Sequence, residues 1–200
     1  MGDSYLTIAA ASEGIYKEKM SKFLAFAHPA ENASEAKAVI ADYQKRYHDA
    51  RHVCWAYMVG ADRTEFLSSD NGEPSGTAGK PILGQINSFG LTNVVVVVVR
   101  YFGGIKLGTS GLIVAYREAA KEALGAAEIV ERHVTDDITF TFPYLAMNDV
   151  MRLCKNGEVE IVSQVFDNSC EMTLRTRRDY AEGLRKKLED LDGVSVIHDA

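Results

Sequence analysis

The stretch VVVVVVRYF, Val94 to Phe102, decides how the rest of this 200-residue chain is read. Six consecutive valines show no polar alternation. A strand with one wet face would alternate, so this one is expected to be buried on both faces, at the centre of a sheet covered on each side. It runs into GGIKLGTSG, Gly103 to Gly111, and then into a helix over Leu112–Leu124. Leu112, Ala115, Tyr116, Ala119 and Leu124 lie on or near one face of that helix, as an amphipathic element packed on the sheet requires. Upstream, Ile82–Phe89 reads as a helix stopped by Gly90. Val53–Val59 is a strand, with Thr64–Leu67 to pair with it. Ser34 is expected to cap a helix over Ala36–Tyr47. Lys22–Ala27 and Tyr5–Ala10 complete the strands of the first part.

Beyond the valine strand and its helix the rhythm changes. Val134–Phe142 alternates as a strand, Leu145–Cys154 is a short helix, and Val159–Phe166 and Cys170–Arg177 are strands joined at Asp167–Ser169. Tyr180–Leu191 is a charged amphipathic helix, and Val194–His198 is the closing strand. The order βαββαβ is that of a ferredoxin-like domain. A boundary near Glu128–His133 divides the chain into residues 1–130 and 131–200. The fold class is therefore α+β with two domains. The net charge of −6 is uneven: residues 1–130 hold 13 basic and 14 acidic side chains, residues 131–200 hold 9 and 14. That balance argues against a protein that coats nucleic acid over its whole surface, and places any polyanion site in the first part.

A second glycine-rich stretch, SSDNGEPSGTAGKP, spans Ser68–Pro81. It leads into a helix near Thr77–Pro81, with Thr77 as the expected cap. Helix-start N–H groups lack internal partners and carry partial positive charge. Ser75, Gly76 and Gly79 allow close approach to the backbone, and Lys80 adds a full charge. Gly103, Gly104, Lys106 and Thr109 repeat this logic after the valine strand, with Arg100, Tyr101 and Arg117 nearby. If the fold places the two turns side by side, they form an anion site suited to phosphate or carboxylate. Only Glu73 opposes the cations between Gly72 and Arg117. Glycine turns also serve close packing alone, and neither turn is decisive by itself.

Other chemistry finds less support. GxxxxGK[ST] fails, with Pro74 and Pro81 at required positions, and GxGxxG is absent, so no nucleotide cofactor is expected. His52 and Cys54 share a strand face, but apolar neighbours favour a packed thiol over a nucleophile. HDARH, His48 to His52, has HxxxH spacing but spans a loop, so no metal is expected. Asp70 and Glu73 read as turn residues rather than an acid/base pair. Three cysteines without a CxxC pair suggest free thiols in the cytoplasm. No apolar run is long enough to span a bilayer, and the N-terminus carries no signal-peptide pattern.

The blocks SSDNGEPSGTAGKPIL and VVVVVVRYFGGIKLGTSGLIVAY, with SKFLAFAHP and DARHVCWAY before them, resemble the YigZ/IMPACT family. The likeness is strong over about residues 10–125. Ser110 departs from the bacterial pattern, which usually has Gly there. The resemblance implies an N-terminal α/β sandwich of the ribosomal-protein type, similar to domain IV of elongation factor G. It also implies a ferredoxin-like second domain similar to domain V. Eukaryotic relatives regulate translation through a protein partner, using an additional domain absent here. Some bacterial members have carried a proline-dipeptidase label, for which this chain offers no metal-ligating cluster. The expected function is a monomeric, non-enzymatic protein that binds RNA or the ribosome through the glycine turns. The alternatives are an enzyme acting on a small phosphorylated or carboxylate ligand, and a protein-binding regulator.

Overall fold

The computed structural model describes residues 2–155 and 157–197. The valine strand, β6 (Val94–Tyr101), is the middle of a five-stranded sheet. Its companions are β2 (Ser12–Glu18), β3 (Ser21–Pro29), β4 (His52–Val59) and β5 (Glu65–Ser69), in the order β2-β3-β6-β4-β5. Every pairing in this sheet is antiparallel. The unbroken valine run thus reflects cover on both faces rather than parallel pairing. Val94, Val96 and Val98 pack with α2 (Gly79–Ser88) and α3 (Gly108–Gly125). Val95, Val97 and Val99 pack with α1 (Ala33–Arg46). All six are fully buried, and burying a valine side chain contributes about 1.5–3 kcal/mol.

Two strands escape a reading by hydrophobic pattern. β2 is half exposed and carries few apolar residues. Its place depends on Gly14, where a Cβ would come within 2.5 Å of the Ala123 backbone of α3. β7 (Ile129–His133) forms a two-stranded sheet with β1 (Ser4–Ile8). The cap of α1 is Asn32, not Ser34: its side chain accepts from the Glu35 amide at 2.9 Å, while Glu35 reaches back to the Glu31 amide. This reciprocal pairing starts the helix at Ala33, three residues earlier than the spacing alone suggests.

The chain divides into two compact units, Tyr5–Arg132 and His133 onward, the latter including the first residues up to Ser4. In the second unit β8 (Thr135–Phe142), β9 (Val159–Phe166), β10 (Cys170–Arg177) and β11 (Ser195–Ile197) form an antiparallel sheet in the order β11-β8-β10-β9. His198, expected in the closing strand, lies outside the described residues. The sheet packs Phe140, Met172 and Leu174 against α4 (Met147–Cys154) and α5 (Arg178–Glu189). Asp3 belongs to this unit: its carboxylate takes two bonds from Arg177, at 2.7 and 3.1 Å. Those bonds outweigh burial and lower its pKa to about 2.

Candidate functional site

The two glycine-rich turns have different fates. In the first, Asp70 turns its carboxylate onto the start of α2. It accepts from the amides of Gly76 at 2.8 Å, Ala78 at 3.0 Å and Gly79 at 2.8 Å. Burial alone would raise the Asp70 pKa, but these amides, with Lys80 nearby, pull it below the usual carboxylate value. The expectation that these N–H groups are free for a ligand is therefore corrected: a carboxylate of the chain already occupies them. Thr77 is not the cap, because its hydroxyl donates to the Pro74 carbonyl at 2.6 Å and Ala78 stands at the cap position. Gly79 serves close approach, since a Cβ there would lie 2.8 Å from the Ser69 amide nitrogen.

The second turn is open. Gly108, at φ +73°, begins α3. Among the described residues no side chain caps this 18-residue helix, and its first turn holds no acidic residue. The helix start faces a cleft of about 410 Å³, lined there by Lys106, Leu107, Gly108 and Thr109. Arg51 and His52 line it from the start of β4, and Gly72, Glu73 and Pro74 from the first glycine stretch.

The inner part of the cleft holds a buried polar network. Arg100 donates through Nη1 to Glu73 Oε1 at 2.6 Å, and the Tyr116 hydroxyl donates to the same oxygen at 2.8 Å. Glu73 and Arg100 are both nearly inaccessible. Burial pushes the Tyr116 pKa far up, so its hydroxyl stays a donor. His52 Nδ1 lies 2.8 Å from the Asn71 carbonyl, which can only accept, so that nitrogen carries a proton. His52 Nε2 lies 3.7 Å from Glu73 Oε2. Guanidinium and aromatic groups then alternate: Arg100 lies over Phe23 at 5.6 Å and over Phe102 at 5.5 Å, and Arg51 lies over Phe102 at 5.2 Å. Arg100 Nε is buried without a hydrogen-bond partner among the described residues.

Of the residues singled out from sequence, Arg100, Lys106 and Thr109 line this cleft. Ser75, Gly76, Thr77, Gly79 and Lys80 do not; they belong to the turn that Asp70 closes. Tyr101 is directed elsewhere, its hydroxyl donating to Asp49 at 2.9 Å. Gly103 packs on the backbone of Met20, leaving no room for a Cβ, and Gly104 supplies a positive φ. Arg117 is exposed and 3.5 Å from Glu118. Arg100 is not an unopposed cation, because Glu73 is its buried partner.

Arg51 and His52 were missed. The signal is the antiparallel register: His52 stands opposite Arg100 across β4 and β6. Only a correct strand pairing brings them to the site. His52 and Cys54 do share a face, but both are turned to the loop, the Cys54 thiol donating to the Asp70 carbonyl at 3.0 Å. Burial pushes that thiol up to about 12.

A family model described as the Impact N-terminal domain matches residues 19–124. The chain is 34% identical to a Haemophilus influenzae protein named IMPACT family member, over 90% of this chain and 88% of that one. It is 40% identical to the IMPACT family member YigZ of Escherichia coli, over 82% of this chain and 81% of that one. A crystal structure of a hypothetical protein superposes with a TM-score of 0.76 at 28% identity, covering 100% of this chain and 99% of that one.

Proposed function

This chain belongs to the IMPACT family, and from that premise we propose that the cleft at the start of α3 is a phosphate-binding site through which the protein engages RNA in a translation-related, non-catalytic role. One observation carries the reading: an uncapped helix start opens onto the same cleft as Arg51 and Lys106. Free helix-start amides and neighbouring cations attract phosphate together. Arg51 and Lys106, two long cationic side chains lining the cleft, suit contact with the RNA backbone rather than with base edges. A thiol held near 12 and a buried carboxylate paired with Arg100 and Tyr116 favour binding over nucleophilic or acid/base chemistry. The sheet order β11-β8-β10-β9 with α4 and α5 supports a ferredoxin-like reading of residues 131–200. The helix-covered five-stranded sheet supports the α/β sandwich of residues 1–130.

The test is a salt titration of single-stranded RNA binding. Two phosphate contacts, through Arg51 and Lys106, predict a slope of roughly −1.4 for log K against log salt. The double variant Arg51→Gln, Lys106→Ala weakens binding for all sequences and flattens the slope, with the thermal melt unchanged. Wild-type protein that binds no RNA at low salt, or a folded double variant with unchanged affinity and slope, defeats the proposal.

A further inference from the structure

We infer that the cleft takes a terminal phosphate, a phosphate monoester, in preference to the internal phosphodiesters of a strand. The inference rests on reading the cleft as a phosphate site and goes on to name the chemical form of the ligand.

Charge comes first. The inner part of the cleft is internally balanced where Arg100 meets Glu73. Arg51, Lys106 and the uncapped start of α3 then remain as surplus positive charge around one small volume. A phosphodiester brings one negative charge and two free oxygens. A monoester brings close to two charges and three acceptor oxygens. The surplus matches the monoester better, and each added charge-assisted hydrogen bond increases the preference.

Shape gives the same answer. A volume of about 410 Å³ is that of a small-ligand pocket. At its inner side stand Glu73 and Arg100, backed by the buried hydroxyl of Tyr116. An extended strand needs a groove that it can enter and leave, whereas an end can insert. Leu107, Leu112 and Pro74 offer apolar surface to the nucleoside that carries the phosphate.

Arg100 supplies the independent sign of a ligand. It is 5% exposed, and its buried Nε has no hydrogen-bond partner among the described residues. Of its nitrogens only Nη1 takes part in a described hydrogen bond. A buried guanidinium is normally satisfied. One that lines a cleft with donor capacity unused is what an anionic or acceptor-bearing ligand would complete.

The monoester has two sources, the end of an RNA strand or a free mononucleotide, and the experiment separates them. Binding is measured at low salt for one short RNA sequence in three forms: 5′-phosphorylated, 3′-phosphorylated and hydroxyl-ended. AMP and inorganic phosphate are measured beside them. The expected result is that one phosphorylated RNA binds about tenfold or more tightly than the hydroxyl-ended form, the scale of one charge-assisted hydrogen bond. Lys106→Ala, at an exposed position, should erase that difference while leaving the thermal melt unchanged. Arg51→Gln serves as a second variant with the same expectation. Equal affinity for all three RNAs overturns the terminal-phosphate inference and leaves RNA binding standing. Saturable binding of AMP without any RNA binding supports the monoester inference, assigns it to a free nucleotide, and defeats the RNA proposal. Failure of all five ligands overturns both.

Discussion

The two glycine-rich turns look alike in sequence, and the fold treats them in opposite ways. The turn before α2 is filled from within, with Asp70 accepting from three backbone amides at its start. The turn before α3 has no such carboxylate among the described residues and opens onto a cleft lined by Arg51 and Lys106. A helix start attracts negative charge wherever it occurs. What separates a filled turn from an open one is whether the chain supplies that charge itself. Glycine content cannot reveal this; the position of one acid eight or nine residues upstream can.

The largest effect is expected where the two turns meet, at Glu73. It comes from the first stretch but serves the second turn's cleft, through Arg100. Glu73→Ala leaves a buried guanidinium unpaired and should cost about 3–5 kcal/mol in urea denaturation. The double variant Glu73→Leu, Arg100→Met should recover most of that loss. A loss under 1 kcal/mol in the single variant would show that Arg100 is solvated rather than buried.

Next in size is the internal anion. Asp70→Ala strips the start of α2 of its acceptor and should cost about 2–3 kcal/mol. Asp70→Asn keeps one acceptor oxygen and should cost less. If Asp70→Ala proves neutral, the two turns are equivalent after all and the contrast fails.

Acid titration gives a smaller, signed effect. The Asp70 pKa is lowered in the folded protein below the ordinary carboxylate value of 3.8. Its contribution is therefore complete above pH 3.8 and is lost as pH falls through the lower folded value. Stability measured from pH 5 downward should decline less steeply in Asp70→Asn than in wild type. Asp3, with its pKa at about 2, contributes in the same direction through the second unit and persists in both proteins.

A mild gain is expected from making the second turn resemble the first. Thr109→Asp places a carboxylate in the first turn of α3, where it should stabilise by about 0.3–1 kcal/mol. The same change should abolish phosphate-dependent binding, because the chain would then fill the site itself. A variant that gains stability and retains binding would locate the site elsewhere. The smallest expected effect is at Cys54. With its thiol near 12, alkylation of the folded protein at neutral pH should be undetectable, and rapid labelling would mean that β4 opens.

Much of the architecture was legible because it is written in apolar pattern. The valine strand, the apolar face of α3 and the strands and helices of the second half follow from burial. β2 and β7 were not legible, since neither presents an apolar alternation that a reader would trust; Gly14 marks β2 only once α3 is seen against it. The candidate site was legible in part. Arg100, Lys106 and Thr109 stand out near a helix start, whereas Arg51 and His52 arrive through strand register, a long-range property. Lys80 and Gly76 were assigned to the site because the acid that closes their turn, Asp70, read as an ordinary turn residue.

The six valines of β6 have a cost outside the folded state. An uncharged run of β-branched residues without proline or glycine is what self-assembling cross-β segments are made of. In the folded sheet it has a strand on each side and helices on each face, so no edge of it is offered to another molecule. Once the sheet opens, that protection vanishes, and only Arg100 at the end of the run opposes stacking between chains. Variants that unfold should therefore precipitate rather than persist as soluble coils, and the working lifetime of the protein is set by how rarely this strand is uncovered.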